Sequence, residues 1–308
     1  MTRRNTEKAN APVGWTPPDL KGRVAVVAGA SRGAARGIAL ALGEAGATLY
    51  IAARTTRSGP KPYDSAPGTI EDTAEEVTRR GGRGIPVRTD CSVEADVAAL
   101  FERVQKEQGR LDIMANGCWG SSQESLHMFR GVKRPFWEMQ STGWHEAMMC
   151  GAHACLCTTV HAARRMARQG GGLIAHVTEP IFEAYDRGGP LFWMFYMLGH
   201  RGINRLVEAT SGELKKRKVT IVALAPGFMR TERVLLHSTE ADRKRHHFDK
   251  SETTEYAGRA VASLAADSKV LAKSGKLVFV GDLAGEYGFK DADGKDVGNF
   301  FKKMKMKV

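Results

Sequence analysis

The chain has 308 residues, of which 42% are hydrophobic and 26% are charged, a composition that suits one large α/β domain or two small ones. The longest apolar run, Leu191 to Leu198, is too short for a membrane span, and no apolar stretch follows the basic N-terminus, so we expect a cytoplasmic protein. The odd number of cysteines fits neither a disulfide framework nor a zinc site, and the net charge of +12 accompanies no nucleic-acid-binding motif, so we expect reduced thiols and no nucleic-acid partner.

The predicted elements alternate between short aliphatic strands and longer helices. Residues 1–20 are polar and rich in proline, which predicts an irregular arm. From there the pattern predicts a single Rossmann-type α/β domain over 21–285, with a doubly wound parallel sheet of about seven strands, and a basic tail over 286–308. The predicted strands are Val24–Ala28, Thr48–Ala53, Gly84–Thr89, Ile113–Ala115, Leu173–Thr178, Val219–Ala225 and Lys276–Val280, and the predicted helices include Arg36–Glu44, Ile70–Arg80, Val93–Glu107, Gly143–Arg168 and Leu191–Leu214.

Three long irregular segments, 55–69, 119–140 and 179–190, follow predicted strands. In an open parallel sheet, such connections surround the ligand crevice. Apolar and aromatic side chains in two of these segments and in the loop after the sixth strand predict either an apolar pocket for a hydrophobic substrate or simple anchoring of the loops. The side chains in question are Trp119, Phe136, Trp137 and Phe182 to Tyr185, together with Phe228 and Met229.

A glycine-containing turn joins the first strand to the first helix. The run VAVVAG continues into ASRGAARGIALALGEAG, so Gly29 and Gly33 lie four residues apart at the turn. Glycine lets the backbone approach a pyrophosphate, while the helix N-terminus supplies free N–H groups and a favourable dipole. This strand, turn and helix context predicts a dinucleotide site. The turn residues that we expect around the cofactor are Gly29, Ser31, Arg32, Gly33 and Ala34.

The end of the second strand indicates which dinucleotide is bound. Binders of NAD usually carry an acidic residue there, which grips the ribose hydroxyls. This chain instead reads Ala52, Ala53, Arg54, with Arg57 nearby and Arg32 in the first turn. Guanidinium groups match a phosphate, so we predict NADP(H) rather than NAD(H); the alternative is that these are ordinary surface arginines.

Several short motifs resemble those of the short-chain dehydrogenase/reductase family. That family's first turn reads T-G-x-x-x-G-x-G, where this chain has Ala28, Gly29, Gly33 and Ala35. Asp90 resembles the family's adenine-contacting aspartate, the run LDIMANG its N-N-A-G stretch, and the loop after the sixth strand its P-G-x-x-x-T motif. The resemblance covers about residues 21–285 and implies further cofactor contacts from Asp90, Cys91, Asn116, Gly117, Pro226, Gly227 and Thr231.

The resemblance also implies a catalytic site in which this chain departs from the family. YMLGH stands in place of Y-x-x-x-K, so Tyr196 aligns with the acid/base tyrosine and His200 with the lysine. The run LIAHVTEP aligns Thr178 and Glu179 with the family's two serines. Gly151 falls near the position of the family's supporting asparagine. We expect His200 to be mostly neutral at pH 7 and to gain charge in mild acid. We expect Glu179 to help only as a protonated acid that donates to the substrate oxygen, and Thr178 to point away.

Three functions remain open from these residues. The first is an NADPH-dependent reductase or dehydrogenase acting on a carbonyl or alcohol of a hydrophobic small molecule, with Tyr196 as acid/base. The second is a cofactor-binding pseudoenzyme with a regulatory or assembly role. The third is isomerisation or dehydration with Glu179 as base. The resemblance further implies a homo-oligomer, a dimer or tetramer, formed through residues 147–159 and the strand Lys276–Val280.

Overall fold

A seven-stranded parallel sheet forms the centre of the structure, a computed structural model that describes residues 15–120, 135–180, 194–245 and 247–305. The strand order is β3-β2-β1-β4-β5-β6-β7, and all six strand pairs are parallel. The predicted single-domain, doubly wound α/β fold is therefore confirmed. The strands are β1 Val24–Ala28, β2 Thr48–Ala53, β3 Arg83–Arg88, β4 Ile113–Asn116, β5 Gly172–Val177, β6 Val219–Ala225 and β7 Leu277–Phe279.

Helices cover both faces of the sheet. The side chains of β1 alternate between the two resulting cores: Ala25 and Val27 pack on one face and Val24 and Val26 on the other. Burial on both faces explains why the strands read as continuous aliphatic runs. The α-helices are α1 Gly33–Glu44, α2 Ile70–Arg79, α3 Glu94–Gln108, α4 Thr142–Trp144, α5 Ala154–Gln169, α6 Met194–Lys215, α7 Glu232–His237, α8 Glu240–Arg245, α9 Thr254–Ala266, α10 Val280–Tyr287 and α11 Phe300–Lys303.

The segment predicted as one long helix over 143–168 consists of three consecutive helical pieces. Between α4 and α5 the backbone winds as a π-helix over His145–His153. A π-helical stretch is wider than an α-helix and is frequent at functional sites. Shorter 3₁₀ turns lie at Phe136–Glu138, Phe248–Lys250 and Val270–Lys273.

Residues at both ends of the described chain pack into the domain core. The sequence assigned them to an arm and a basic tail because polar and charged residues dominate both segments. Trp15 and Phe289 are buried in the same core cluster as β1 and α1, and Phe301 of α11 is buried as well. The Arg259 guanidinium lies 4.9 Å from the ring centroid of Trp15. Among the described helices, none has both the length and the apolar character needed to cross a membrane.

The strand order reverses between β1 and β4. The chain winds outward in one direction through β2 and β3, and in the other through β5, β6 and β7. The loops that leave the carboxyl ends of β1 and β4 therefore diverge and leave a crevice between them, which is where ligands bind in sheets of this kind.

Candidate functional site

A cleft of about 660 Å³ opens at the carboxyl ends of the strands. Most of the predicted site residues line it, although their segments are far apart in sequence. Of the apolar and aromatic residues predicted to line the pocket, Trp119, Phe228 and Met229 line the cleft. Phe136 and Trp137 are exposed outside it, and Phe182 to Tyr185 lie outside the described residues. The predicted site residues at the cleft are Gly29, Ser31, Arg32, Gly33, Ala34, Arg54, Asp90, Cys91, Gly117, Thr178, Glu179, Tyr196, His200, Pro226, Gly227 and Thr231.

The glycine turn has the backbone of an anion-binding site. Gly29 has a φ of +80°, and a Cβ there would lie 2.8 Å from the backbone nitrogen of Cys118, so only glycine fits. Gly33 has a φ of +64° and begins α1. Its N–H donates to the Glu232 carboxylate at 2.7 Å. A carboxylate thus stands where a phosphate oxygen of a dinucleotide would be held, so the turn fits such a group.

Among the described residues, three arginines line the cleft: the predicted Arg54 and Arg32, and Arg233. The Nη1 atom of Arg54 lies 3.9 Å from Asp90 Oδ2 and 3.6 Å from Cys150 Sγ. About half of the Arg54 side chain is exposed. The Arg32 guanidinium donates to the backbone carbonyls of residues 67 and 68, which pins the loop after β2 against the glycine turn. Arg54 begins the loop after β2 and Arg32 contacts the far end of the same loop, so both place positive charge beside it.

Arg57 and Asn116 differ from the other predicted site residues because neither lines the cleft. Arg57 forms ion pairs on the surface of α2, with Asp72 at 2.7 Å and with Glu75 at 2.5 Å. Asn116 is fully buried; its amide donates to the Thr158 hydroxyl at 2.8 Å and so ties β4 to α5. Arg57 stabilises the helix, and Asn116 shapes the floor beneath the cleft.

Tyr196 and Glu179 form a hydrogen-bonded pair. The Tyr196 hydroxyl, at the start of α6, donates to Glu179 Oε2, just beyond β5. Burial raises the pKa of the Glu179 carboxyl, and the hydrogen bond from Tyr196 opposes that rise. The carboxyl therefore contacts the tyrosine, whereas the sequence predicted contact with a substrate oxygen.

His200 lies one turn further along α6 and is almost completely enclosed. Its ring stacks on Trp119 with centroids 4.5 Å apart and planes 6° apart, and it meets the Tyr196 ring edge-on at 4.3 Å. Burial lowers the pKa of His200 to about 3. The expectation that this ring gains charge in mild acid is therefore wrong, because its burial against Trp119 and Tyr196 disfavours the charged form. Thr178, which we expected to point away, places its hydroxyl oxygen 3.1 Å from His200 Nδ1.

Trp119 occupies a slot made by two glycines. A Cβ at Gly151 would lie 2.9 Å from its indole, and a Cβ at Gly199 would lie 2.8 Å from it. The indole also meets the Tyr196 ring at 5.3 Å. Trp119 was predicted only as a lining residue; its role as the stacking partner of His200 depends on three segments that meet only in the fold.

Comparisons with known proteins agree with this architecture. The family model described as short chain dehydrogenase matches residues 23–242. The chain belongs to the short-chain dehydrogenase family. It is 36% identical over 294 residues to dehydrogenase/reductase SDR family member 1 of Mus musculus, covering 92% of this chain and 87% of that protein, and 34% identical over 293 residues to the Homo sapiens protein of the same name, covering 91% and 87%.

Solved structures show the same fold. A 7α-hydroxysteroid dehydrogenase complexed with NADH and 7-oxo glycochenodeoxycholic acid superposes with a TM-score of 0.68 at 20% identity, covering 85% of this chain and 93% of that one. A hydroxysteroid dehydrogenase from Escherichia coli gives 0.65 at 20% identity, covering 85% and 96%. The family model and the similar proteins are dehydrogenases and reductases, so this chain is an oxidoreductase. Members of the short-chain dehydrogenase family use nicotinamide cofactors.

In this short-chain dehydrogenase, the loop with the P-G motif depends on a residue that sequence reasoning missed. The Glu252 Oε1 atom accepts a hydrogen bond from the Gly227 N–H at 2.9 Å. The Glu252 backbone forms two hydrogen bonds with the same loop: its N–H donates to the carbonyl of Phe228, and its carbonyl accepts from the N–H of Arg230. Burial raises the pKa of Glu252 to about 8. No local pattern marks Glu252, because its partners lie more than twenty residues earlier.

Proposed function

We propose that the chain is an NADP(H)-dependent oxidoreductase that interconverts a carbonyl and an alcohol on a hydrophobic small molecule. The observation that carries this proposal is the Tyr196 hydroxyl in the cleft, bonded to the buried Glu179 carboxyl. A phenol can exchange a proton with a substrate oxygen, and a neighbouring buried carboxyl can return a proton to the phenol or take one from it. The bound nicotinamide supplies or accepts the hydride.

The residues that would hold the dinucleotide follow from the cleft. The Gly29 to Gly33 turn offers N–H groups to the diphosphate at the start of α1. Arg54 and Arg32 flank the loop after β2, where a 2′-phosphate would lie, and no carboxylate ends β2 itself. This charge pattern supports NADP(H) over NAD(H).

The Tyr196 and Glu179 pair accounts for the proton in both directions. During alcohol oxidation, Tyr196 accepts the alcohol proton while its own hydroxyl proton passes to ionised Glu179, along the hydrogen bond that the structure shows. During carbonyl reduction, Tyr196 donates its proton to the substrate oxygen and recovers one from protonated Glu179, which is reprotonated by solvent. The raised pKa of Glu179 favours the protonated form that reduction needs.

The neutral His200 supports a second candidate, which is cofactor binding without turnover. A lysine at this position would lower the pKa of the tyrosine with a fixed positive charge, whereas burial keeps His200 uncharged. Under this alternative, the same cleft binds the dinucleotide for a regulatory or assembly role.

Cofactor oxidation with a panel of hydrophobic ketones and aldehydes, between pH 5 and 8, tests the proposal. We expect Tyr196→Phe to lower kcat by roughly 10² to 10⁴-fold without changing the Kd for NADPH. The control Tyr63→Phe removes an exposed hydroxyl and should change neither. The reduction rate should fall as pH rises through the raised pKa of Glu179, and Glu179→Gln should remove that dependence.

Three results would contradict parts of this scheme. NADPH binding without any turnover would favour the second candidate. Tighter binding of NAD(H) than of NADP(H) would overturn the cofactor assignment. Binding of neither dinucleotide would defeat both candidates.

We also propose that the chain forms a homo-oligomer through the helices beside the cleft. Trp144, Leu156 and Leu198 are large apolar side chains that are between 42% and 49% exposed on α4, α5 and α6. Apolar side chains on adjacent helices favour burial against a second copy. Light scattering at micromolar concentration should give the mass of a dimer or tetramer, and a monomer would refute this.

A further inference from the structure

A chain of hydrogen bonds behind the cleft begins at Asn204 on α6. Its Nδ2 atom lies 3.1 Å from the backbone carbonyl of Glu179, and its Oδ1 lies 2.9 Å from the Thr178 hydroxyl oxygen. A carbonyl oxygen can only accept a hydrogen bond, so the amide nitrogen must face Glu179. The amide oxygen then faces Thr178 and can only accept, so the Thr178 hydroxyl must donate to it.

This arrangement determines the proton position on His200. The single hydroxyl proton of Thr178 is committed to Asn204, so its oxygen can only accept from the ring nitrogen 3.1 Å away. That nitrogen is His200 Nδ1, which must therefore carry a proton. Since the ring is neutral, Nε2 carries none.

We propose that Asn204 is a positioning residue that acts through Thr178 to hold His200 as the Nδ1–H tautomer, so that Nε2 offers a hydrogen-bond acceptor to the cleft. A lysine at this position would offer only donors. The group that His200 recognises is therefore a hydrogen-bond donor. This step rests on the proposed function, in which that donor is a ribose hydroxyl of the dinucleotide.

Trp119 holds the plane of the His200 ring. The indole covers one face of His200 in a nearly parallel stack, and the slot made by Gly151 and Gly199 leaves the indole little room to shift. With Nδ1 bonded to Thr178, the nitrogen left for a molecule in the cleft is Nε2. Packing thus fixes the plane of the ring, and the hydrogen bond to Thr178 selects the tautomer and the nitrogen that faces the cleft.

Histidine ¹⁵N NMR of the full chain without cofactor tests this assignment, with His200→Gln used to identify the signal. The wild-type protein should show protonated Nδ1 and unprotonated Nε2. Asn204→Ala should reverse the tautomer, because the freed Thr178 hydroxyl can then donate to Nδ1. Thr178→Val removes the acceptor and should shift the population toward the Nε2–H form, whereas Thr178→Ser keeps the hydroxyl and should restore the wild-type spectrum.

The Kd for NADPH supplies a second measurement. Asn204→Ala and Thr178→Val should weaken binding by about tenfold, the effect of one lost hydrogen bond, and Thr178→Ser should restore it. An Nε2–H tautomer in the wild-type protein, or an unchanged tautomer in Asn204→Ala, would overturn the proposal. The predicted tautomer in a chain that binds no dinucleotide would uphold the role of Asn204 and refute the proposed function, so the two failures are distinguishable.

Discussion

Replacing Glu252 by glutamine should change how the stability of the protein depends on pH. Glu252 is fully buried beneath the cleft loop, and Oε1 accepts the Gly227 N–H. Its other oxygen has no hydrogen-bond partner within the described residues. A glutamine amide has nearly the shape of a protonated carboxyl and can still accept from Gly227, but it cannot ionise.

The magnitude follows from the pKa of Glu252, which burial raises from an ordinary 4.5 to about 8. Below pH 4.5 the Glu252 carboxyl is neutral in both the folded and the unfolded chain, so it does not lower the free energy of unfolding. Between 4.5 and 8 only the unfolded chain ionises, and the free energy of unfolding falls by about 1.4 kcal/mol per pH unit. The loss should total about 3.5 kcal/mol between pH 5 and pH 8, and the glutamine variant should escape it.

Urea denaturation of both proteins at pH 5 and pH 8, followed by circular dichroism, measures this difference. The free energy of unfolding of Glu252→Gln minus that of the wild type should rise by about 3.5 kcal/mol between the two pH values, whatever other groups titrate. As a control, Glu102→Gln replaces an exposed carboxylate on α3 and should give the same difference at both. A constant difference for Glu252→Gln would show that this carboxyl ionises freely in the fold, and the burial argument would fail.

Two further substitutions test the cleft. Glu232→Gln should tighten NADPH binding by roughly tenfold, because the Glu232 carboxylate occupies the Gly33 N–H and repels a diphosphate; unchanged or weaker binding in a fluorescence titration would contradict this. Gly199→Ala should destabilise the protein by about 1 to 3 kcal/mol and lower activity, because its Cβ meets both the Trp119 indole and the backbone carbonyl of Ala147. On the same helix, Gly212→Ala meets nothing within 4 Å and should be neutral or slightly stabilising; equal thermal stability of the two variants would refute the slot.

The sequence was enough to predict the fold and the position of the glycine turn between β1 and α1. β1, β2 and β6 have the bounds that their aliphatic runs predicted, because a strand buried on both faces needs an uninterrupted apolar sequence. Gly29 and Gly33 were recognisable because a positive φ and a close backbone approach require glycine. These are local requirements, and local sequence expresses them directly.

The chemistry of the cleft depends on contacts between distant segments. Tyr196 and His200 were implied by the resemblance of YMLGH to the family's Y-x-x-x-K motif, but only the tertiary structure pairs Tyr196 with Glu179 and encloses His200 beside Trp119. Glu232, which lies 199 residues from Gly33, gave no local signal at all. The charge of a side chain is set by the water and partners around it, and those come from segments that only folding brings together.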